Sequence, residues 1–152
     1  MAAGTMNILR NAMPLLRGRH PGQLIIQYSD ACNALCPQCE LRRTNPFPRS
    51  RIANDTMKRI IDAAVKRGVR FLSFTGGEPF LYADDLFTLI GYARSAGIPF
   101  VRTGTNGFMF RGYGNDNWER HVHNLGRRLA ESGLNTFWIS IDSADATVHE
   151  EM

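Results

Sequence analysis

Apolar positions along the chain alternate between two periods, and the changeover points fix the predicted elements. After a leader, residues 1–22, broken by Pro14, Arg17, Gly18, Arg19 and Pro21, the run Gln23–Tyr28 contains Leu24, Ile25 and Ile26 and predicts a first strand. A polar, proline-rich loop follows from Ser29 to about Ala53. Met57, Ile60, Ile61, Ala64 and Val65 then recur at helical spacing, with Asn54 or Asp55 as candidate N-cap and Gly68 as the stop. Val69–Phe74 predicts a second strand, closed by the turn Thr75-Gly76-Gly77-Glu78-Pro79. Leu86, Phe87, Leu89, Ile90 and Ala93 predict a second helix, capped near Asp84 and stopped at Gly97. Ile98–Thr103 is a third strand and Gly104–Asn117 a long polar loop. Trp118, Val122, Leu125 and Leu129, spaced four, three and four apart, predict a third helix ending at Gly133. Thr136–Ile141 is the fourth strand, and Asp145 is placed to cap one more helical turn.

Strand and helix alternating four times predict an α/β chain with a parallel sheet, either doubly wound or a partial β/α barrel of about four units. A barrel closes with about eight strands, so a chain that stops one turn into a helix reads as a truncated piece of something longer, with residues 23–152 as a portion of one domain.

Composition narrows the partners. Of 152 residues, 43% are hydrophobic and 21% charged, and 18 Lys and Arg against 14 Asp and Glu leave a net charge of +4. That balance is ordinary for one globular domain. The basic residues Arg10, Arg17, Arg19 and His20, and then Arg42, Arg43, Arg49 and Arg51, flank the cysteine-bearing loop. They suit an anionic substrate or cofactor as well as a solvated surface, and no nucleic-acid-binding motif accompanies them. The broken apolar leader has neither a signal-peptide core nor the length to span a bilayer, so a cytoplasmic location is expected.

Three cysteines, an odd number within eight residues, do not suit a framework of long-range disulfides. The spacing Cys32-x3-Cys36-x2-Cys39 instead puts three thiols in one loop, one short of a closed four-ligand site. A catalytic metal centre keeps such a position open for substrate or cosubstrate. The rival is a non-catalytic cysteine-rich metal-binding domain, zinc or iron–sulfur, completed by a distant histidine. His121 and His123 stand two apart on a helix and face different ways, which rules them out as a ligand pair though not singly.

The sequence around these cysteines, Cys-Asn-Ala-Leu-Cys-Pro-Gln-Cys, resembles the signature of the radical S-adenosylmethionine (SAM) enzymes. Thr75-Gly76-Gly77-Glu78-Pro79, Thr105-Asn106-Gly107 and Ser140-Ile141-Asp142 follow in that family's order. The nearest group is the one containing molybdenum-cofactor synthesis enzymes and peptide-modifying maturases, and the resemblance covers residues 23–152, about two-thirds of a six-stranded open barrel. It implies that Cys32, Cys36 and Cys39 ligate a 4Fe–4S cluster whose open iron chelates SAM, and that a 5′-deoxyadenosyl radical takes hydrogen from a small-molecule or peptide substrate. It also implies an electron donor such as flavodoxin or ferredoxin. Gly76, Gly77, Glu78 and Pro79 would meet the methionine end of SAM, with Glu78 pairing its ammonium. Asn106, Ser140 and Asp142 would hydrogen-bond its carboxylate or ribose. One departure is Gln38, where the family usually has an aromatic or apolar residue against the adenine; a glutamine could hydrogen-bond the base edge instead. Independently of the resemblance, each motif follows a predicted strand, the end at which β/α barrels build their sites.

Overall fold

In the computed structural model residues 22–41 and 48–151 are described. The expected leader, with Arg10, Arg17, Arg19 and His20, lies outside the described residues, as do Arg42 and Arg43. The strands are β1 (Gln23–Ser29), β2 (Phe71–Gly76), β3 (Phe100–Thr105) and β4 (Thr136–Ile139), and the helices are α1 (Asn54–Lys66), α2 (Ala83–Ala96), α3 (Trp118–Glu131) and α4 (Ala146–Glu151). The sheet is wholly parallel in the order β1-β2-β3-β4, open rather than closed. This is the expected α/β architecture, a partial β/α barrel. None of the described helices is long and apolar enough to cross a membrane.

Pleating separates the two faces of the sheet. Ile26, Phe74, Thr103 and Phe137 lie in one row across all four strands. Ile26, Tyr28, Leu72, Phe74 and Val101 share a single buried cluster with Met57 and Ile61 of α1 and with Leu86, Leu89, Ile90 and Ala93 of α2. The alternate positions look away from these helices, and Ile25, Phe71 and Trp138 there are 59%, 44% and 37% exposed.

Two strands start two residues later than the apolar pattern predicts, for one reason. Gly68, at φ 79°, follows α1, and the Val69 N–H donates to the Ala64 carbonyl at 3.0 Å while the Gly68 N–H donates to Val65 at 3.0 Å. Gly97, at φ 108°, follows α2 with the same pair of bonds, from Ile98 to Ala93 and from Gly97 to Arg94. Val69 and Ile98 are thus the apolar residues that complete helix caps, and the ladder begins beyond them. The expected cap of α1 is corrected as well. Ala53 occupies the N-cap without a side-chain bond, because Asn54 instead donates from Nδ2 to Asp85 Oδ1 on α2 at 2.7 Å. Asp145 does cap α4, its Oδ1 accepting from the Val148 N–H at 3.1 Å. β2 runs on through Thr75 and Gly76, whose partner is Ser29, so the expected glycine turn begins inside the sheet.

Candidate functional site

The cysteine loop leaves β1 at Ser29 and is held at both ends. On its return the Ile52 N–H donates to the Tyr28 carbonyl at 3.0 Å, and the Asp30 N–H donates to the Ser50 carbonyl at 3.1 Å. The buried Ser29 hydroxyl donates to the same Ser50 carbonyl at 3.1 Å and accepts from the Ala31 N–H at 3.0 Å. Arg51 anchors this return to α2. Its guanidinium pairs with the Asp85 carboxylate, donates to the Tyr28 hydroxyl at 3.3 Å and stacks 4.4 Å from the Tyr82 ring centroid. The hydrogen bond from Arg51, aided by Asn54, holds the Asp85 carboxyl below its ordinary value, whereas burial pushes the Tyr28 phenol up.

The outgoing arm of the loop is tied to the glycine turn. The Gly77 N–H donates to the Ser29 carbonyl at 2.7 Å, and the Glu78 N–H to the Ala31 carbonyl at 2.8 Å. Both glycines are required by this approach. A Cβ on Gly76 would stand 2.0 Å from the Ser29 carbonyl oxygen, and one on Gly77 would stand 2.1 Å from that of Ala31. The close contact that these glycines permit in the structure is with the chain's own backbone.

Glu78 is 3% exposed and both of its carboxylate oxygens are engaged. Oε1 accepts from the Phe80 N–H at 3.0 Å, capping the 3₁₀ turn Pro79–Tyr82, and Oε2 accepts from the Asn106 N–H at 2.7 Å at the end of β3. The Asn106 side chain continues the chain of contacts. Its Oδ1 accepts from the Phe108 N–H at 3.0 Å, while Nδ2 donates to Asn33 Oδ1 at 2.8 Å and to Cys32 Sγ at 3.7 Å. The ends of β2 and β3 and the first cysteine therefore form one bonded unit.

These strand ends enclose a cleft of about 130 Å³ lined by Phe74, Thr75, Gly76, Gly77, Glu78, Pro79, Gly104, Thr105, Asn106, Trp138 and Ser140. Six of the residues expected from sequence meet there: Gly76, Gly77, Glu78, Pro79, Asn106 and Ser140. Gln38 and Asp142 do not line it. Gln38 is exposed on the cysteine loop, and the Asp142 N–H donates to His149 Nδ1 at 3.3 Å. Thr105 also lines the cleft, as part of the motif Thr105-Asn106-Gly107, whereas Gly104 and Trp138 are not singled out by the sequence. The signal available for them was a glycine in an otherwise β-forming strand, which marks close approach of another group. That group is the Trp138 indole, 2.2 Å from where a Gly104 Cβ would lie.

Cys32, Cys36 and Cys39 are all free thiols, Cys32 exposed and the other two partly so. Among the described residues no three His, Cys, Asp or Glu side chains converge as ligands of a single ion. Three thiols in one loop are the donor set that a 4Fe–4S cluster with one open iron requires. His121 is engaged elsewhere, its Nε2 lying 2.9 Å from the Met109 carbonyl.

Comparison with known proteins agrees with this geometry. The family model described as the radical SAM superfamily matches residues 26–152. An AdoMet-dependent heme synthase from Oleidesulfovibrio alaskensis is 30% identical over 152 residues, covering 98% of this chain and 34% of the relative. A probable GTP 3′,8-cyclase from Sulfolobus acidocaldarius is 28% identical over 135 residues, covering 89% and 39%, and a GTP 3′,8-cyclase from Rhodopirellula baltica is 30% identical over 131 residues, covering 84% and 33%. The chain spans between a third and two-fifths of the length of these curated relatives. With the motif-bearing strand ends gathered at one cleft and the family match running through all four β/α units, the chain belongs to the radical SAM superfamily, enzymes that use a 4Fe–4S cluster and S-adenosylmethionine.

Proposed function

We propose that this chain carries the SAM-cleaving half of a radical enzyme, with Cys32, Cys36 and Cys39 as cluster ligands and the adjoining cleft as the seat of the methionine end of SAM. The observation that carries the reading is the bonded path from Cys32 through Asn106 and Glu78 to the glycine turn. It supports the reading because Asn106, bonded to the thiol loop, also lines a cleft at the strand ends together with Gly76, Gly77, Glu78, Pro79 and Ser140. The cofactor would supply the chemistry of reductive C5′–S cleavage, giving a 5′-deoxyadenosyl radical that abstracts hydrogen from the substrate.

The chain's own residues have positional work to do. Glu78 spends one lone pair of each oxygen on backbone N–H groups, and the two lone pairs left can accept from an ammonium at the cleft. Ser140 stands on the opposite wall, its N–H donating to the Thr105 carbonyl at 2.9 Å, which leaves its hydroxyl for a ligand carboxylate or ribose. Gln38 and Asp142, outside the cleft lining, are not needed by this reading. A closed zinc site would need a fourth protein ligand beside the three cysteines, whereas a radical SAM cluster keeps that position open for SAM.

The test is anaerobic reconstitution. Loaded protein is expected to carry about four irons and four sulfides per chain and, with SAM and a strong reductant, to release 5′-deoxyadenosine. Alanine at Cys32, Cys36 or Cys39 should each deplete iron and sulfide. Stoichiometric zinc without sulfide, or full iron in all three variants, would overturn the assignment.

A further inference from the structure

Among the described residues, the sheet face turned away from the helices holds one cation, Arg102, in the middle of β3. Its cross-strand neighbours carry no charge: Ser73 on β2 and Thr136 on β4 flank it, and Ile25 lies one strand further out. Arg102 is half-buried and has no carboxylate partner among the described residues. Its guanidinium carbon instead stands 5.7 Å from the ring centroid of Trp138. That indole lies across Gly104 and forms part of the cleft wall. Arg102 and Gly104 are two positions apart on β3, so their backbones stand about 7 Å apart along the face.

A half-buried guanidinium with no carboxylate beside it among the described residues carries a desolvation cost that an anion can relieve. Its planar fork matches a carboxylate or phosphate with two parallel bonds, and the ring behind it fixes its plane. We propose that Arg102, oriented by Trp138 and flanked by the hydroxyls of Ser73 and Thr136, forms a subsite for an oxyanionic group of the substrate, whose reacting carbon then lies at the cleft. The role of the cleft in this inference rests on the function proposed above; anion binding by Arg102 does not.

The test therefore needs neither cluster nor SAM. The chain has two tryptophans, so a Trp118→Phe background leaves Trp138 as the sole indole reporter. Inorganic pyrophosphate and succinate, titrated separately, distinguish a phosphate from a carboxylate as the preferred group. A saturable change in emission with either one is expected. Arg102→Gln should weaken it about tenfold or more, and Arg102→Lys should recover part of the loss, since charge remains but the bidentate fork does not. Thr136→Asp keeps the arginine but supplies an internal carboxylate beside it, and should also abolish binding. Arg111→Gln, at an exposed loop position, should leave binding unchanged. Equal affinity in the parent, Arg102→Gln and Thr136→Asp, or no response to either anion, would overturn the proposal. Iron and sulfide content reports separately on the cluster.

Discussion

Glu78→Gln separates two roles for one carboxylate. Sequence reasoning gives Glu78 to the ammonium of SAM, which would make the substitution a matter of ligand affinity. The structure adds a load within the fold, because two backbone N–H groups 26 residues apart in sequence, those of Phe80 and Asn106, each bond one oxygen. A glutamine retains one carbonyl oxygen and turns its amide nitrogen, a donor, toward whichever N–H is left. One charge-assisted bond worth about 1.5–3 kcal/mol disappears, and a buried N–H faces another donor at a further cost of about 1–3 kcal/mol, part of which is the same loss counted twice. A net destabilisation of about 3 kcal/mol is expected, roughly a hundredfold in the folding equilibrium. The assay is urea unfolding of the chain without cofactor, comparing midpoints at constant slope. The larger deficit is expected at Asn106, since its bond is the shorter and joins β3 to the turn. A change below about 0.5 kcal/mol, within the range of an ordinary surface substitution, would refute the reasoning and return Glu78 to a purely ligand-directed role.

Gly77→Ala drives a methyl group to 2.1 Å from the Ala31 carbonyl oxygen, rigid backbone that cannot yield without breaking the two bonds between turn and loop. It should cost about 3 kcal/mol and lower iron retention after reconstitution; normal iron and stability would contradict the contact. Gly91→Ala is the opposite control, inside α2 with nothing within 4 Å of the added carbon, and should stabilise by up to about 1 kcal/mol in the same unfolding assay. The pH dependence of stability should show two separate limbs. Asp85, held below 3.8 by Arg51, contributes stability that is present above that value and lost as pH falls through the folded one. Partial exposure of both partners keeps this below about 1 kcal/mol, and Asp85→Asn should flatten the acid limb. Tyr28, pushed above 10.0 by burial, contributes fully below pH 10 and loses stability as pH rises toward its folded value, so Tyr28→Phe should flatten the alkaline limb alone.

How legible the molecule is from its sequence depends on the range of the interaction. Helix ends are written locally, and Gly68, Gly97 and Gly133 all stand at positive φ just beyond helices where the pattern predicts stops. The strand starts misled because Val69 and Ile98 are apolar for the sake of those caps. Parallel alternation placed every motif at a strand end, which is why Gly76, Gly77, Glu78, Pro79, Asn106 and Ser140 gather without any knowledge of their contacts. What each one touches is not local. Asn54 reaches Asp85, 31 positions away, in place of capping its helix, and Glu78 reaches Asn106, 28 positions away. Trp138 and Arg102 are invisible one strand at a time, since only the pairing of β3 with β4 brings the indole over Gly104 and beside the guanidinium.

The seating of Gly76 and Gly77 against Ser29 and Ala31 changes what those two letters can testify to. A residue that the chain needs in order to close on itself persists whether or not anything is ever bound beside it. A descendant that kept the loop but abandoned radical chemistry would still be obliged to write Gly-Gly at this place, since any side chain there would strike a carbonyl. The thiols are under no such steric obligation, for Cys32 is exposed and no disulfide joins any of the three among the described residues. Between two relatives of this fold, then, the doublet attests to ancestry and the cysteines to trade.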